Sequence, residues 1–399
     1  KAFVLIWQVV LGLFCLSFLI FKSGFQLFGD LLILLSMLGL CWKSFFFQEK
    51  LAFGIFLLYP TAIICGLFSL GSLHSAVHVA LAWPWLLMVL PTLLVMARPK
   101  DIRIVKYCLA VSLAIACAKS FYLFENDFGG IFKGDVRVPS FWDISRWGLF
   151  CALALLFLIA ALTGLKKVFS SKIGWALLFL TLMDLGSLIL ANNRGPWLAF
   201  GVSILFFLVF YPKIWKWMIP VVLLTAVALI SGKGLSSRIS SIGAVEERQG
   251  DLVSKDRSNQ GRLSMWKVAN DFYKEQPFFG TGFENSVQPL TDFLNRQTEE
   301  YRQKYILVEF SYSDQHSSIL TMLVQMGVIF SLLFWGLVFF SGVKILQRWW
   351  KTKSLFDATL LSAIAFHLIL CFFYTSFLSF EVVSFIPLLV MRGSNDVTT

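Results

Sequence analysis

The sequence predicts an all-α, polytopic integral membrane protein of about 12 transmembrane helices, with one large periplasmic helical loop. Three observations carry that prediction. Of 399 residues, 58% are hydrophobic and only 14% charged, with 42 Phe, 14 Trp and a mean hydropathy of +0.76, a composition far from that of a soluble domain. Apolar runs of about 17–22 residues recur along the chain, each long enough to cross a hydrocarbon core about 30 Å thick at about 1.5 Å per residue. One polar stretch, residues 233–316, interrupts them with 11 Lys/Arg and 12 Asp/Glu.

Taken in order, spans are expected near 2–21, 26–46, 51–71, 78–96, 104–124, 147–165, 173–191, 196–211, 215–231, 318–340, 358–377 and 380–391. The eighth, ninth and last are short for a bilayer. The first lacks an Ala-x-Ala-like cleavage site and leads at once into another span, so it reads as a retained helix rather than a signal peptide. All seven cysteines fall within these runs without CxxC spacing; they read as buried packing thiols, with neither disulfides nor structural zinc expected. The chain shows no internal repeat, which disfavours transporter folds built from duplicated halves.

The net charge of +11 is distributed by topology. With the N-terminus in the cytoplasm, the inside segments hold 17 basic residues against four acidic ones, and the other side 17 against 19. This positive-inside bias orients the chain and removes the need for a nucleic-acid partner. Residues 1–231 then form nine membrane helices with a charged exterior loop at 125–146. Residues 232–317 form the large exterior loop, periplasmic for a bacterial inner membrane. Residues 318–399 supply three further helices and a cytoplasmic tail.

The large loop has helical periodicity. Gly261–Glu275 places Leu263, Trp266, Ala269 and Phe272/Tyr273 on one face, with Ser258 or Asn259 as N-cap and Pro277 beyond its end. A Gly280-Thr281-Gly282 turn follows, then a second helix over Pro289–Tyr305 with Leu290, Phe293, Leu294, Tyr301 and Tyr305 at helical spacing. Two amphipathic helices of this kind pack as a lid, on each other or over the membrane mouth.

Few residues are placed to do chemistry on water-soluble groups. Arg194 stands in Asn192-Asn193-Arg194-Gly195-Pro196-Trp197-Leu198, at a tight exterior turn. Its planar guanidinium suits phosphate oxygens, although an arginine there can also snorkel beside an interfacial tryptophan. Arg262 opens the first loop helix, where backbone N–H groups join a cation in holding an anion; the plain alternative is a solvated side chain. Arg137 and Arg146 bracket the start of the sixth span, and either can add a third cation. His316, in Ser313-Asp314-Gln315-His316-Ser317-Ser318, is placed as a general base or as an interfacial helix cap. His74 and His78 are spaced i, i+4 without an evident third metal ligand. His367 falls mid-span and is expected to be hydrogen-bonded within the bundle. Asp184 lies mid-span as well, with Lys119 as its expected partner. The Gly280-Thr281-Gly282 turn can present N–H groups to phosphate or be an ordinary turn. Neither an Asp-x-Asp motif nor a P-loop occurs, so a cytosolic nucleotide donor is not expected.

Three of these segments together resemble the bacterial O-antigen ligase family, within the superfamily of O-antigen polymerases and protein O-oligosaccharyltransferases. Arg194-Gly-Pro-Trp-Leu198 resembles the family's Arg-x3-Leu pattern. Arg262-x3-Trp266 with Pro277-x2-Gly280-x-Gly282 resembles its periplasmic-loop segment. His316-Ser317 with Gly327 ten residues beyond resembles its histidine motif, although Phe330 stands where a smaller residue is expected. The likeness is best from about Arg137 to Gly327. It implies a metal- and cofactor-free inverting glycosyltransferase. The donor would be O-antigen on undecaprenyl pyrophosphate, the acceptor lipid A–core, and the setting the lipid of a Gram-negative inner membrane. On that resemblance Arg194 and Arg262 bind the pyrophosphate, with Arg137 or Arg146 assisting, and His316 serves the acceptor hydroxyl. An O-antigen polymerase, another lipid-linked oligosaccharide transferase and a flippase remain the rival readings.

Overall fold

The computed structural model describes residues 2–40, 50–82, 99–130, 137–165, 168–217, 245–248, 251–254, 257–306, 310–313 and 315–374. Eight helices come first: α1 (Ala2–Ser17), α2 (Lys22–Leu40), α3 (Lys50–Phe68), α4 (Ser72–Ala82), α5 (Pro99–Phe128), α6 (Ile144–Gly164), α7 (Lys172–Ala191) and α8 (Arg194–Phe210). A small antiparallel ribbon follows, β1 (Val245–Arg248) and β2 (Asp251–Ser254). The loop helices are α9 (Arg257–Tyr273), α10 (Val287–Arg296) and α11 (Glu299–Tyr305), and the last described helices are α12 (Ser318–Thr352) and α13 (Leu355–Phe373). Among the described residues, five helices, within α5, α6, α7, α12 and α13, are long and apolar enough to cross a membrane. The fold is that of an all-α membrane protein. The expected ninth span lies outside the described residues beyond residue 217, and the twelfth lies wholly outside them.

Helix α6 forms the centre of the bundle. It is apolar around its whole circumference and buried along most of its length, as a helix surrounded by other helices must be. It packs against α7, α8 and α13, and α8 in turn lies along α13. Cys15, Cys65, Cys117, Cys151 and Cys371, in α1, α3, α5, α6 and α13, are buried free thiols, and Cys41 lies outside the described residues.

Helix α12 runs for 35 residues, about 52 Å at about 1.5 Å per residue. Its length exceeds the expected 318–340 because a basic, amphipathic end carrying Lys344, Arg348, Lys351 and the αL cap Lys353 continues it out of the apolar zone. Near its other end the helix is broken. Gly327 has φ 72° and ψ 179°, a conformation open only to glycine in practice. A Cβ at Gly327 would also run into the Phe278 carbonyl. The break strips several backbone groups of their helical partners, and the segment 277–282 supplies replacements. Thr281 N–H donates to Val324 O (2.9 Å), Gly282 N–H to Gln325 O (2.9 Å), and Val328 N–H to Pro277 O (2.8 Å). The same segment is held on its other side by the α3–α4 corner, where Gly71 N–H donates to Thr281 O (2.9 Å) and Phe283 N–H to Ser75 Oγ (2.7 Å). The N–H groups of Thr281 and Gly282 are therefore spent on α12 rather than offered to phosphate. Phe330, the residue larger than expected, is fully buried and stacks near Phe334 (6.5 Å).

The lid departs from its expected form in three ways. Its second helix is divided into α10 and α11 because Thr298 turns the chain and caps α11, accepting from Tyr301 N–H (3.2 Å). Helix α9 begins at Arg257, so Ser258 and Asn259 sit in its first turn rather than at its cap. The buried face of α9 carries Ser264, Met265, Val268, Ala269 and Phe272. Leu263 and Trp266 fall outside this face, because α9 packs on two sides, against α10 and α12 and against the chain before α12. Val268, Ala269 and Phe272 join Leu290, Phe293, Leu294 and Val324 in one apolar cluster. The ribbon β1–β2 went unread because four-residue strands are too short to show alternation.

The expected Lys119–Asp184 pair does not form. Asp184 is fully buried among Cys117, Cys151 and Ser187, whereas Lys119 Nζ lies over the Tyr122 ring at 5.0 Å. Two residues along a helix amount to about 200° of rotation, so a helix that turns Cys117 toward Asp184 turns Lys119 away.

Two expectations follow. Gly327→Ala should destabilise the protein by about 2 kcal/mol or more, lowering its melting midpoint in detergent. The second concerns Asp271, which joins α9 to α11 through the Tyr301 hydroxyl (2.9 Å) and is paired along its own segment with Lys267 and Lys274 (3.2 Å). Burial opposes its ionisation, but the bonds from Lys267, Tyr301 and Lys274 outweigh this and hold its pKa below the ordinary value. A depressed carboxyl stabilises the fold above its unfolded pKa, about 3.9, and that contribution is lost as the pH falls through the lower folded value. Limited proteolysis within 257–305 should therefore accelerate in that acidic window for the native protein. Asp271→Asn should be cleaved readily already at neutral pH, with less change on acidification.

Candidate functional site

Helices α7 and α8 are joined by a two-residue corner. Asn192 closes α7 in the left-handed conformation (φ 46°, ψ 50°), Asn193 is extended, and Arg194 is the first residue of α8. Both asparagines are buried, while Arg194 is half-buried with its Nε shielded from solvent. A cation in the first turn works against the helix dipole, and the combination becomes favourable when an anion sits between them.

His316 precedes α12 and has φ 46°, a region that costs a non-glycine residue energy. Its neighbours hold it there. The Gln315 N–H donates to Thr321 Oγ1 (3.2 Å), and the Gln315 carbonyl accepts from the Trp266 indole N–H (3.0 Å). The Ser317 hydroxyl donates to the Cys371 carbonyl (3.3 Å), and Ser318 donates to the Tyr374 carbonyl through both N–H (2.8 Å) and Oγ (2.6 Å). Gln315 is 1% exposed, and among the described residues neither atom of its side-chain amide has a hydrogen-bond partner. Gln325, as deeply buried, is fully engaged with Glu284 N–H, the Ser286 hydroxyl and the Ser313 carbonyl.

Arg262 does not open α9 as expected but is its sixth residue, past the free N–H groups of the first turn; it is half-buried, one turn before Trp266 and on the same side. The indole bond to Gln315 therefore brings Arg262 to the histidine turn. Arg137 is exposed, but the next residue is anchored, since Val138 N–H donates to Leu190 O (2.9 Å) just before the Asn192 corner.

Tyr374 lies where these parts meet. It follows the last residue of α13, with extended backbone (φ −134°, ψ 139°). Its hydroxyl donates to Asn193 Oδ1, and its ring occupies the space where any Cβ on Gly195 would lie. Burial pushes its pKa up to about 12, opposed by the Arg262 cation, the hydrogen bond to Asn193 and the Arg137 cation. One hydroxyl thus feels the charges of Arg262 and Arg137 while bonded to the residue before Arg194. The structure brings Arg137, Arg194, Arg262 and His316 into one neighbourhood. Arg146 stands at its margin, paired with Asp143 (3.2 Å) and lying over the Trp142 ring (5.7 Å).

The histidines of the other segments are engaged elsewhere. His78 Nδ1 is 3.5 Å from Glu284 Oε2, and His74 stacks loosely on His78 (6.1 Å). His367 Nε2 lies 3.5 Å from Cys371 Sγ. Among the described residues, no three His, Cys, Asp or Glu side chains form a metal-binding group. Tyr374 itself was missed because the apolar run around it suggests helix to residue 377. The helix stops at Phe373, and the freed Tyr374 carbonyl is what Ser318 binds.

Fold and site together describe an all-α membrane protein with a group of cationic side chains where helix ends meet α9. Residues 176–335, less than half of the chain, match the family model described as O-Antigen ligase. The matched stretch includes Arg194, Arg262, His316 and Gly327, but not Arg137, Arg146 or Tyr374. No curated protein matches the chain at a significant level.

Trp266→Phe keeps an aromatic ring at this position, though a smaller one, and removes the donor to Gln315. Hydrogen exchange in α9 should rise by about fivefold, matching the loss of about 1 kcal/mol, with α12 unchanged. Unchanged exchange in α9 would remove Trp266 as the tie between lid and histidine turn.

Proposed function

We propose that the protein is an O-antigen ligase, an inverting glycosyltransferase that works without metal or nucleotide. It transfers polysaccharide from undecaprenyl pyrophosphate to a sugar of lipid A–core. The observation that carries this reading is the gathering of Arg137, Arg194 and Arg262 around Tyr374, beside His316. The family domain supports the same class.

The chemistry suits these groups. An acceptor hydroxyl attacks the anomeric carbon of the donor while the bond to the pyrophosphate oxygen breaks. The pyrophosphate leaves with the electron pair, and the acceptor proton passes to His316. Pyrophosphate is a stable anion, so the leaving group needs charge neutralisation rather than a proton. Arg194 and Arg262 supply it, with Arg137 better placed to assist than Arg146. A single displacement inverts the anomeric configuration. The buried amide of Gln315, next to His316, is a group that a sugar hydroxyl would satisfy.

Sidedness follows from α12. His316 precedes its start, while Lys344, Arg348, Lys351 and Lys353 gather toward its far end. The positive-inside rule supports a reading in which that end is cytoplasmic and His316 faces the periplasm, as a ligase of a Gram-negative inner membrane would need. The proposed organisation is therefore nine spans in 1–231, a periplasmic loop in 232–317, and three spans with a cytoplasmic tail in 318–399. The superfamily also includes polymerases that would use the same donor, and one experiment separates the two. Deletion of the gene for a ligase leaves bare lipid A–core on a lipopolysaccharide gel while lipid-linked polymer accumulates; core bearing a single repeat marks a polymerase. In that strain the native gene should restore the polymer ladder. Arg194→Ala and His316→Ala should each fail to restore it at normal protein levels, a loss of about 100-fold or more. A full ladder in either variant would remove that residue from the mechanism.

A further inference from the structure

Tyr374 has a role that neither the family domain nor the charge pattern assigns, since it lies beyond the matched residues 176–335. Three of its groups bind three different residues. The hydroxyl donates to Asn193 Oδ1, the ring fills the space over Gly195, and the carbonyl accepts two bonds from Ser318. Arg194 stands between the first two contacts, and His316 is two residues before the third.

The bond to Asn193 carries more than packing. Asn193 is the N-cap residue of α8, in the extended conformation that suits capping (φ −116°, ψ 117°), yet its side chain makes no cap bond. Its acceptor oxygen is turned to Tyr374 instead. Its amide nitrogen reaches the Ser145 carbonyl (3.5 Å), so the side chain is stretched between α13 and the start of α6. Glycine at 195 admits the ring, because any side chain there would displace it. The first turn of α8 is thus oriented by a tyrosine from another helix rather than by its own cap.

We propose that Tyr374 is a positioning residue, one that fixes the Arg194 turn and the His316 turn in a single register by gripping Asn193, Gly195 and Ser318. The proposal rests on the reading that Arg194 and His316 form one pyrophosphate-dependent site. It predicts that the hydroxyl acts on phosphate binding through Arg194 and not through the stability of the bundle.

The test uses Tyr374→Phe, which keeps the ring and the carbonyl and removes only the O–H. Protein level and melting midpoint in lipid nanodiscs should match the native protein. Affinity for inorganic pyrophosphate, measured by calorimetry, should fall about tenfold, since a displaced cation loses much of its charge-assisted bonding. In membranes supplied with lipid-linked donor and lipid A–core, kcat should fall by a similar factor while the KM for lipid A–core stays within about twofold. Asn193→Ala removes the same bond from the other side, together with the long contact to the Ser145 carbonyl, and should give at least the same loss. The double variant should be no worse than Asn193→Ala alone, because the bond that Tyr374→Phe deletes is already gone there. Native pyrophosphate affinity in Tyr374→Phe, or losses that add in the double variant, would overturn the proposal. Should Tyr374→Phe melt lower than the native protein, Asn193→Ala carries the binding test alone, and native affinity there overturns it as well. Pyrophosphate binding does not depend on the acceptor. If native protein binds pyrophosphate and Tyr374→Phe weakens it, but the deletion strain makes no ligated polymer, the ligase reading fails and the positioning role stands.

Discussion

The break at Gly327 is the constraint on which the rest of the structure depends. A helix interrupted within an apolar segment exposes backbone groups that no lipid can satisfy, so protein must satisfy them. Residues 277–282 do so, and they are held from behind by the α3–α4 corner. This double attachment fixes the end of α9 against the bundle. The helix then lies where Trp266 can reach the Gln315 carbonyl, and Arg262 follows one turn earlier. An arginine carried on a loop thereby gains the placement of one carried on a membrane helix.

The site draws on the same logic at helix ends. Arg194 begins α8, His316 immediately precedes the N-cap of α12, and Tyr374 follows the end of α13. Backbone direction at a helix terminus is set by the bundle, and the residue just outside is free to adopt unusual angles. Asn192 and His316 both use the left-handed region for this purpose. Cations gathered at such ends repel one another across partly buried ground. That favours an anionic ligand of more than one charge over a neutral one.

Much of this was legible in the sequence. Apolar run length located most of the described membrane helices, and position at the ends of those runs marked Arg194 and His316. The arginines emerged because charge is costly near lipid and so is rarely placed without a partner. What remained hidden was relational. Lys119 and Asp184 share a depth in the bilayer, yet helix rotation separates them, and depth is all that span prediction provides. The Gly280-Thr281-Gly282 turn resembled an anion nest because its partner, a broken helix more than 40 residues away, leaves no local signature. Tyr374 was submerged in an apolar run whose end depends on a hydrogen bond from Ser318.

The left-handed backbone of His316 has a consequence for sequence variation at that position. Under the proposed mechanism two demands fall on one residue: a side chain that serves as a base, and a backbone at φ 46°. Glycine and asparagine meet the second demand readily, β-branched residues meet neither, and the carboxylates and lysine meet the first only with shifted ionisation. Histidine is left as nearly the whole permitted alphabet. A substitution there is therefore seldom a graded change. It tends to separate folding from chemistry, yielding either a sound protein without a base or a distorted entrance to α12.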